Sequence, residues 1–161
     1  MLTSMANLGL QRALETLGCG TVVTDVGDRY VLEALQREGA LLGGEQSGHV
    51  IYLRDHVTGD GLAAGLLLCG ALKGRRLSEA AAVMSRWPQC KENVRVEDKE
   101  LPADVLEEVE RVNRDWNGNG RVLVRPSGTE PLIRVLAEAE NAEVAAEACG
   151  RIAELVRREL G

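Results

Sequence analysis

The sequence predicts an α/β layer followed by a smaller α+β module, and two observations support that prediction. Short apolar, β-branched runs alternate with helical patterns over residues 1–86, which is typical of an α/β layer with part of its sheet lying upstream. Trp87-Pro88-Gln89 interrupts this alternation, and a strand, a helix, two strands and a long helix follow it. We therefore expect two domains: a partial α/β domain over residues 1–86 and a compact α+β domain over residues 87–161.

The first predicted domain begins directly in a helical pattern. Leu10, Leu14 and Leu17 form one apolar stripe of that helix. A short strand is expected at residues 21–23. Asp28 can then cap a second helix, which ends at Gly39. The inner face of this second helix is predicted to consist of Val31, Leu32 and Leu35.

The rest of this domain combines a glycine-rich loop with a very apolar helix. Strands are predicted at residues 41–42 and 50–53, on either side of a loop from Gly43 to Gly48. Asp60 can cap the next helix, and we expect that helix to be buried because leucines lie on nearly every side of it. A further short helix is predicted to begin at Ser78.

The second predicted domain has three strands and two helices. The strands are expected at residues 93–96, 121–124 and 133–137, and the helices at 101–113 and 141–160. The inward positions of the first helix are Val105, Leu106, Val109 and Val112, and those of the second are Val144, Ala148, Ile152, Leu155 and Val156. At about 75 residues this module is near the lower size at which a domain is stable alone.

Composition excludes some classes of function. The net charge of −6 argues against a general nucleic-acid or anionic-membrane binder, because both roles need a basic surface. A small phosphorylated ligand needs only a local cluster of arginines and backbone N–H groups. The four cysteines form no CxxC pair, which favours buried free thiols in a reducing cytoplasm. No signal peptide or membrane span of about 20 apolar residues is evident, so we expect a cytoplasmic protein.

The segment from Arg125 to Arg134 carries the clearest chemical signal. Ser127, Gly128 and Thr129 lie between two prolines at a strand-to-strand turn, where their backbone N–H groups and two hydroxyls can approach an anion. Arg125 and Arg134 add planar guanidinium forks that suit phosphate oxygens. The segment lacks the spacing and the Lys-Ser/Thr pair of a Walker A loop. It predicts phosphate binding, with a plain tight turn flanked by surface arginines as the alternative.

A second polar loop follows the predicted strand at residues 41–42. Glu45, Gln46, Ser47 and His49 lie among glycines that free the backbone. A carboxylate beside a hydroxyl and an amide is suited to reading sugar hydroxyls. The alternative is that the loop is a polar turn and His49 a structural residue.

Together these loops resemble the α-D-phosphohexomutase superfamily, and within it the bacterial phosphoglucosamine mutases. The sugar-binding loop of that family is similar to residues 43–49, and its phosphate-binding loop is similar to residues 125–134. The Glu-Gln-Ser form favours the phosphoglucosamine branch, since phosphomannomutase/phosphoglucomutase relatives typically show Met in place of Gln46. Residues 26–30 and 58–61 also fit that branch. The resemblance covers nearly the whole chain and identifies it as a C-terminal fragment, from the later part of the third of four domains to the end of the fourth.

The resemblance implies a reaction that this chain cannot complete alone. Family members interconvert glucosamine 6-phosphate and glucosamine 1-phosphate through a phosphoserine and glucosamine 1,6-bisphosphate, which is the intermediate and activator. This chain shows neither the phosphoserine loop nor the Asp-rich loop that holds Mg²⁺ in the intact enzyme. The resemblance therefore implies that the catalytic serine and the metal ligands lie in upstream domains, and that this chain alone is inactive.

The family's site roles carry over to two sets of residues. Arg125, Ser127, Gly128, Thr129 and Arg134 would hold the phosphate that is not reacting. Glu45, Gln46 and Ser47 would bind the sugar, with His49, Asp28 and Arg29 as possible proton carriers; a helix N-cap is the alternative role of Asp28. Three alternatives stay open: a fragment of a phosphomannomutase/phosphoglucomutase, a non-catalytic phosphosugar-binding module, and an excised piece of a longer chain.

Overall fold

The computed structural model describes residues 1–54 and 57–161, which divide into two compact units, Met1–Arg86 and Trp87–Gly161. The first unit is a small α/β layer and the second a three-stranded sheet with two helices. The predicted class, a partial α/β domain followed by an α+β domain, is confirmed. No helix in the described ranges is long and apolar enough to cross a bilayer.

The first unit is built on three parallel strands. They are β1 (Leu2–Thr3), β2 (Val23–Thr24) and β3 (Leu42–Gly44), connected by α1 (Leu8–Thr16) and α2 (Asp28–Glu38). Strand β1 lies between β2 and β3, and β4 (Val50–Tyr52) pairs antiparallel with β3. The prediction that the chain enters a helix directly was wrong, because Leu2 pairs with Val23 of β2 and Gly44 of β3, and Thr3 pairs with Thr24 of β2.

Helix α2 packs on this sheet through the face that the sequence predicted. Val31 and Leu35 are fully buried against Ile51 of β4, and Leu32 packs at the edge of the same cluster. Gly43, predicted to free a loop, instead lies in β3 beneath this helix. A Cβ at Gly43 would lie 2.5 Å from a methyl group of Val31, so the close packing of α2 on β3 requires glycine there.

Helix α3 (Gly61–Leu72) differs most from its predicted environment. Asp60 caps it as predicted, accepting a hydrogen bond from the N–H of Ala63 at 2.9 Å. The helix is not buried, however: Leu62 is 78% exposed, and Leu66, Leu67 and Leu68 are also exposed. A groove of about 560 Å³ separates α3 from the sheet, lined by Leu42, Val50, Tyr52, Leu67 and Leu68. The apolar composition predicted burial, and no described residue covers the outer side of the helix. The unit ends with α4 (Leu77–Ala81).

The second unit is organised around its central strand. Strand β7 (Leu132–Ala139) pairs antiparallel with β5 (Gln89–Arg95) on one side and β6 (Gly120–Pro126) on the other. Helices α5 (Ala103–Trp116) and α6 (Ala142–Leu160) cover one face of this sheet. The core on that face contains Val94, Val122, Ile133, Val135 and Ala137 from the strands, and Val105, Val112, Ala148, Ile152 and Val156 from the helices. Leu106 and Val144, predicted to point inward, are exposed.

The cysteines differ in environment more than predicted. Cys19 and Cys69 are exposed, Cys90 is half-buried and Cys149 is buried in the core of the second unit. All four are free thiols. Burial raises the pKa of Cys149 to about 12, with the neighbouring Cys90 as the second cause, so Cys149 stays protonated and unreactive at neutral pH.

We predict that two leucines of the first unit differ sharply in their contribution to stability. Leu35→Ala removes a fully buried side chain and should lower the free energy of unfolding by about 2–5 kcal/mol. Leu62→Ala, on the exposed side of α3, should change it by no more than about 0.5 kcal/mol. Urea unfolding followed by far-ultraviolet circular dichroism measures both. Equal losses in the two variants would show that α3 is buried in solution.

Candidate functional site

The turn at Glu45 lies where parallel α/β sheets usually bind ligands. The chain passes from β1 to β2 on one side and then crosses back to β3 on the other side of β1. The strand order therefore reverses between β1 and β3, and ligands bind in such sheets outside the carboxyl ends of the strands at that reversal. Glu45 is the first residue after the carboxyl end of β3.

This turn is short and internally bonded. Strands β3 and β4 form a hairpin, so Gly43 and Gly44 lie in the sheet and the turn is only five residues long, Glu45 to His49. The Glu45 N–H donates to the carbonyl of His49 at 3.0 Å, and the Gly48 N–H donates to the carbonyl of Glu45 at 3.1 Å. Gly48 has a φ of 96°, a conformation that favours glycine.

Three side chains of the turn form a polar cluster. Nδ1 of His49 lies 3.1 Å from Oε1 of Glu45 and 2.8 Å from Oγ of Ser47. A carboxylate can only accept a hydrogen bond, whereas the Ser47 hydroxyl can both donate and accept, so the three groups can share hydrogen bonds at Nδ1. The Glu45 side chain is only 9% exposed, whereas that of His49 is 52% exposed. Gln46 is exposed in the same turn.

Asp28 and Arg29 lie at the same edge of the sheet, because they follow β2 as Glu45 follows β3. Gly27 occupies the N-cap position of α2, and Asp28 is the first helical residue, whose carboxylate accepts the N–H of Arg29 at 2.8 Å. Nε of Arg29 donates to Glu33 at 2.8 Å. That hydrogen bond raises the pKa of Arg29, so its guanidinium keeps its charge at neutral pH.

The second loop joins β6 to β7, and the register of these strands places its two arginines side by side. Arg125 of β6 pairs directly with Arg134 of β7, and Asn93 of β5 pairs with Arg134 from the other side. Directly paired residues share one face of a sheet, so these three side chains lie on the face away from α5 and α6. We call it the arginine face, defined by Arg121, Arg125 and Arg134.

Two like charges in direct cross-strand pairing destabilise a sheet unless an anion lies between them. Within residues 1–54 and 57–161, the guanidinium of Arg125 has no hydrogen-bond or ion-pair partner. By contrast, Arg121 at the far end of the same face is bonded to the fully buried carboxylate of Glu138, at 3.0 Å from Nε and 2.8 Å from Nη2. The arginine face is therefore neutralised at one end and positively charged at the loop.

Ser127 organises the loop from within. Its side chain is buried, and its Oγ accepts hydrogen bonds from the Glu130 N–H and from Nη2 of Arg134, each at 3.3 Å. Its own N–H donates to the carbonyl of Leu132 at 2.9 Å. Lys99 donates from Nζ to the Ser127 carbonyl at 2.9 Å. These bonds hold the loop in one conformation. The Ser127 hydroxyl accepts in them, so its hydrogen is still available for a hydrogen bond to a ligand.

The tip of the loop presents unused donors next to open space. Among the described residues, neither Gly128 nor Thr129 has a hydrogen-bond partner for its backbone N–H. A Cβ built on Gly128 would meet no atom within 4 Å, and its φ is not in the left-handed region. Since neither packing nor backbone conformation requires glycine at this position, the space beside it is available to a bound group.

Sequence reasoning missed three residues of this loop region. Lys99 lies in a run of charged residues, 97–100, and its ammonium group donates to the Ser127 carbonyl. Glu130 forms an ion pair with Arg134 at 3.1 Å between Oε2 and Nη2. Asn93 reaches the site only through the register of β5 on β7. The period-two pattern of β5 is the only sequence signal for Asn93, and it does not reveal the pairing.

No metal site was found in the part of the chain that the structure describes. Within it, no group of three or more His, Cys, Asp or Glu side chains is arranged to hold a metal ion.

Comparison with known proteins agrees with this division of the chain into two kinds of domain. Residues 1–89 match the family model described as phosphoglucomutase/phosphomannomutase, alpha/beta/alpha domain III. Residues 92–155 match the model of the phosphoglucomutase/phosphomannomutase C-terminal domain.

Several bacterial proteins are similar over nearly the whole chain. A phosphoglucosamine mutase from Bacillus subtilis is 51% identical and one from Bacillus licheniformis 49% identical, each over 99% of this chain. The chain spans 37% of the length of these relatives and matches their C-terminal part.

Solved structures share the fold at lower identity. The Aspergillus fumigatus N-acetylphosphoglucosamine mutase in complex with GlcNAc-6P and magnesium is 22% identical, with a TM-score of 0.83 over 99% of this chain and 39% of its own. A phosphoglucomutase/phosphomannomutase family protein from Burkholderia thailandensis is 19% identical, with a TM-score of 0.72 over 98% of this chain and 37% of its own. From its two matching domain models, the chain belongs to the phosphoglucomutase/phosphomannomutase family.

Proposed function

We propose that this chain supplies the sugar-binding and phosphate-binding loops of a phosphoglucosamine mutase. That enzyme is a cytoplasmic intramolecular phosphotransferase, which interconverts glucosamine 6-phosphate and glucosamine 1-phosphate for amino-sugar nucleotide and cell-wall precursor synthesis. The pairing of Arg125 with Arg134 beside the unbonded N–H groups of Gly128 and Thr129 is the observation that supports the proposal best. This arrangement provides two guanidinium groups and two backbone N–H donors at one loop.

The phosphate-binding role follows from the chemistry of these groups. Arg125 and Arg134 bind phosphate oxygens through their forks, and each hydrogen bond to a charged group contributes about 1.5–3 kcal/mol. The Gly128 and Thr129 N–H groups bind a further oxygen at the loop tip. The Ser127 hydroxyl donates from inside the loop. Because the loop is held by its own bonds and by Lys99, little conformational entropy is lost when phosphate binds.

The turn at Glu45 is proposed to bind the sugar. The carboxylate of Glu45 accepts hydrogen bonds from ring hydroxyls, and Ser47 and Gln46 contribute further polar contacts. His49 is the proposed proton carrier, since its Nδ1 is held by Glu45 and Ser47 while the ring is half exposed. Asp28 stands at the same sheet edge as a second candidate. Arg29 keeps its charge, which suits binding of an anionic group better than proton transfer.

The other parts of the reaction are assigned to domains beyond this chain. The phosphoserine and the Mg²⁺ ligands are proposed to lie upstream, with Mg²⁺ and glucosamine 1,6-bisphosphate as requirements of the intact enzyme. Residues 1–86 and 87–161 are proposed as the end of the third domain and the whole of the fourth. In this arrangement the chain holds and orients the bisphosphorylated sugar while the transferred phosphoryl group is handled elsewhere.

The choice of amino sugar rests on the Glu45-Gln46-Ser47 sequence and on the names of relatives about 50% identical. A mutase of glucose or mannose phosphates would use the same phosphate loop. A binding module without chemistry would also keep both loops. The discriminating property is therefore whether the turn at Glu45 prefers an amino sugar.

An amide NMR titration of the 161-residue chain tests the proposal directly. Inorganic phosphate, glucose 6-phosphate and glucosamine 6-phosphate should each shift the amides of Gly128 and Thr129. Only the sugar phosphates should shift Gly44 and Gly48, with glucosamine 6-phosphate binding more tightly. Absence of shifts at Gly128 and Thr129 in the folded chain would refute the phosphate-binding assignment, and equal binding of the two sugars would refute the amino-sugar preference.

We expect Gly128→Ala to separate phosphate binding from folding. The added methyl group enters open space, so stability should change by no more than about 1 kcal/mol, and in the direction of stabilisation. Phosphate binding should weaken about tenfold or more, because the methyl group blocks close approach to the backbone donors. Gly20→Ala is the matched control, since a Cβ there also meets no atom within 4 Å. Unchanged phosphate affinity in Gly128→Ala would contradict the role of the loop tip.

We expect Glu45→Gln to affect the sugar alone. The amide keeps the shape of the carboxylate but removes its charge and one acceptor, so the shifts at Gly44 and Gly48 should decrease. The phosphate-induced shifts of Gly128 and Thr129 should stay as in the unmodified chain, since that loop belongs to the other unit. Wild-type sugar affinity in this variant would show that the Glu45 carboxylate does not bind the sugar.

A further inference from the structure

Glu130 occupies part of the proposed phosphate site with its own negative charge. Its Oε2 lies 3.1 Å from Nη2 of Arg134, and the same nitrogen also donates to Oγ of Ser127 at 3.3 Å. Both side chains of the ion pair are partly open to solvent, at 55% exposure for Glu130 and 41% for Arg134. Nothing in the geometry therefore holds the carboxylate in place except its attraction to Arg134.

This ion pair leaves the fork of Arg134 half used. Nε and Nη2 lie on one edge of a guanidinium group and together bind an oxyanion in the bidentate arrangement. In Arg134, Nη2 is bonded to Glu130, while Nε is buried and has no hydrogen-bond partner among the described residues. In Arg121 on the same face, both nitrogens of that edge contact Glu138. The contrast indicates that Glu130 is a poor fit for the Arg134 fork.

We propose that Glu130 is a resident counter-anion of the phosphate loop, which an incoming phosphate displaces from Arg134. This inference rests on the proposed phosphate-binding function and adds a residue that sets its selectivity and release. A phosphate monoester carries a charge of about −1.5 to −2 and three acceptor oxygens, so it can satisfy both nitrogens of the fork. A carboxylate ligand carries one charge and gains little by replacing another carboxylate. Glu130 thereby favours dianionic phosphate over monoanions.

The same residue also limits how tightly phosphate is held. Once displaced, the Glu130 carboxylate stays close to the bound anion, because Glu130 is part of the short loop that binds the anion. Its repulsion and its competition for Arg134 both promote dissociation. In the proposed reaction the bisphosphorylated sugar must turn round, so the loop must release one phosphate. Faster dissociation of phosphate from the loop allows that release. Glu130 acts through Arg134, so it is a positioning residue and not a catalytic one.

The direction in which one substitution changes the phosphate affinity tests this proposal. Glu130→Gln keeps the size of the side chain and removes the charge, so the 161-residue chain should bind inorganic phosphate about two- to fivefold more tightly, the range expected from an exposed ion pair. Acetate, as a monoanionic probe, should gain at least the same factor. A structural role for Glu130 in shaping the loop would instead weaken binding. The readout is the amide shift of Gly128 and Thr129, with the Nε–H signal of Arg134 as a second probe.

Two controls make the outcome decisive. Glu147→Gln removes an equal charge from an exposed position of α6, on the other side of the sheet, and should leave phosphate affinity unchanged. Glu130→Ala removes the side-chain acceptor as well as the charge and should again tighten binding. Phosphate binding that is unchanged or weaker in both Glu130 variants overturns the inference while leaving the proposed function intact. No phosphate shift in the unmodified chain or in any variant overturns both.

Discussion

The register between β6 and β7 is the constraint on which the second unit depends. It places Ile133, Val135 and Ala137 toward the helices and turns Arg134 and Glu138 to the opposite face. A slip of one residue would move the whole apolar set out of the core and bring the charged set in, at a cost that no local rearrangement offsets. The packing of the core therefore fixes the pairing of Arg125 with Arg134, and the geometry of the loop between β6 and β7 is a consequence of core packing.

The first unit depends on a different constraint, the reversal of strand order around β1. Three parallel strands end at one edge, which brings Glu45 after β3 and Asp28 after β2 to the same side of the sheet. Close packing of α2 on Gly43 holds β3 in position, so the turn at Glu45 starts from a fixed point. Helix α3 has no part in positioning this turn. It has an exposed apolar surface that no described residue covers.

Local patterns predicted much of the fold, and what they missed depends on long-range pairing. Helices α2, α5 and α6 follow from periodicity, and α3 follows from its apolar run and the capping residue Asp60. The strand β1 was missed because two residues carry no period of their own and become a strand only through partners far along the chain. Lys99 and Asn93 reach the loop through tertiary contacts, and Glu130 becomes informative only once its distance to Arg134 is known. Leu106 shows that an apolar residue at helical spacing can still face water.

The hairpin of β6 and β7 has a consequence for the order in which this unit folds. Its strands are joined by the short segment that follows Pro126 and precedes Leu132, and hairpins of this kind form in about 1–10 μs. Pairing of β5 with β7 must wait for a larger loop to close, because α5 and β6 lie between them in the chain. Arg125 and Arg134 can thus meet while the helices are still docking. We therefore expect the β6–β7 hairpin to form early, and its register to become fixed when the helices pack on the sheet.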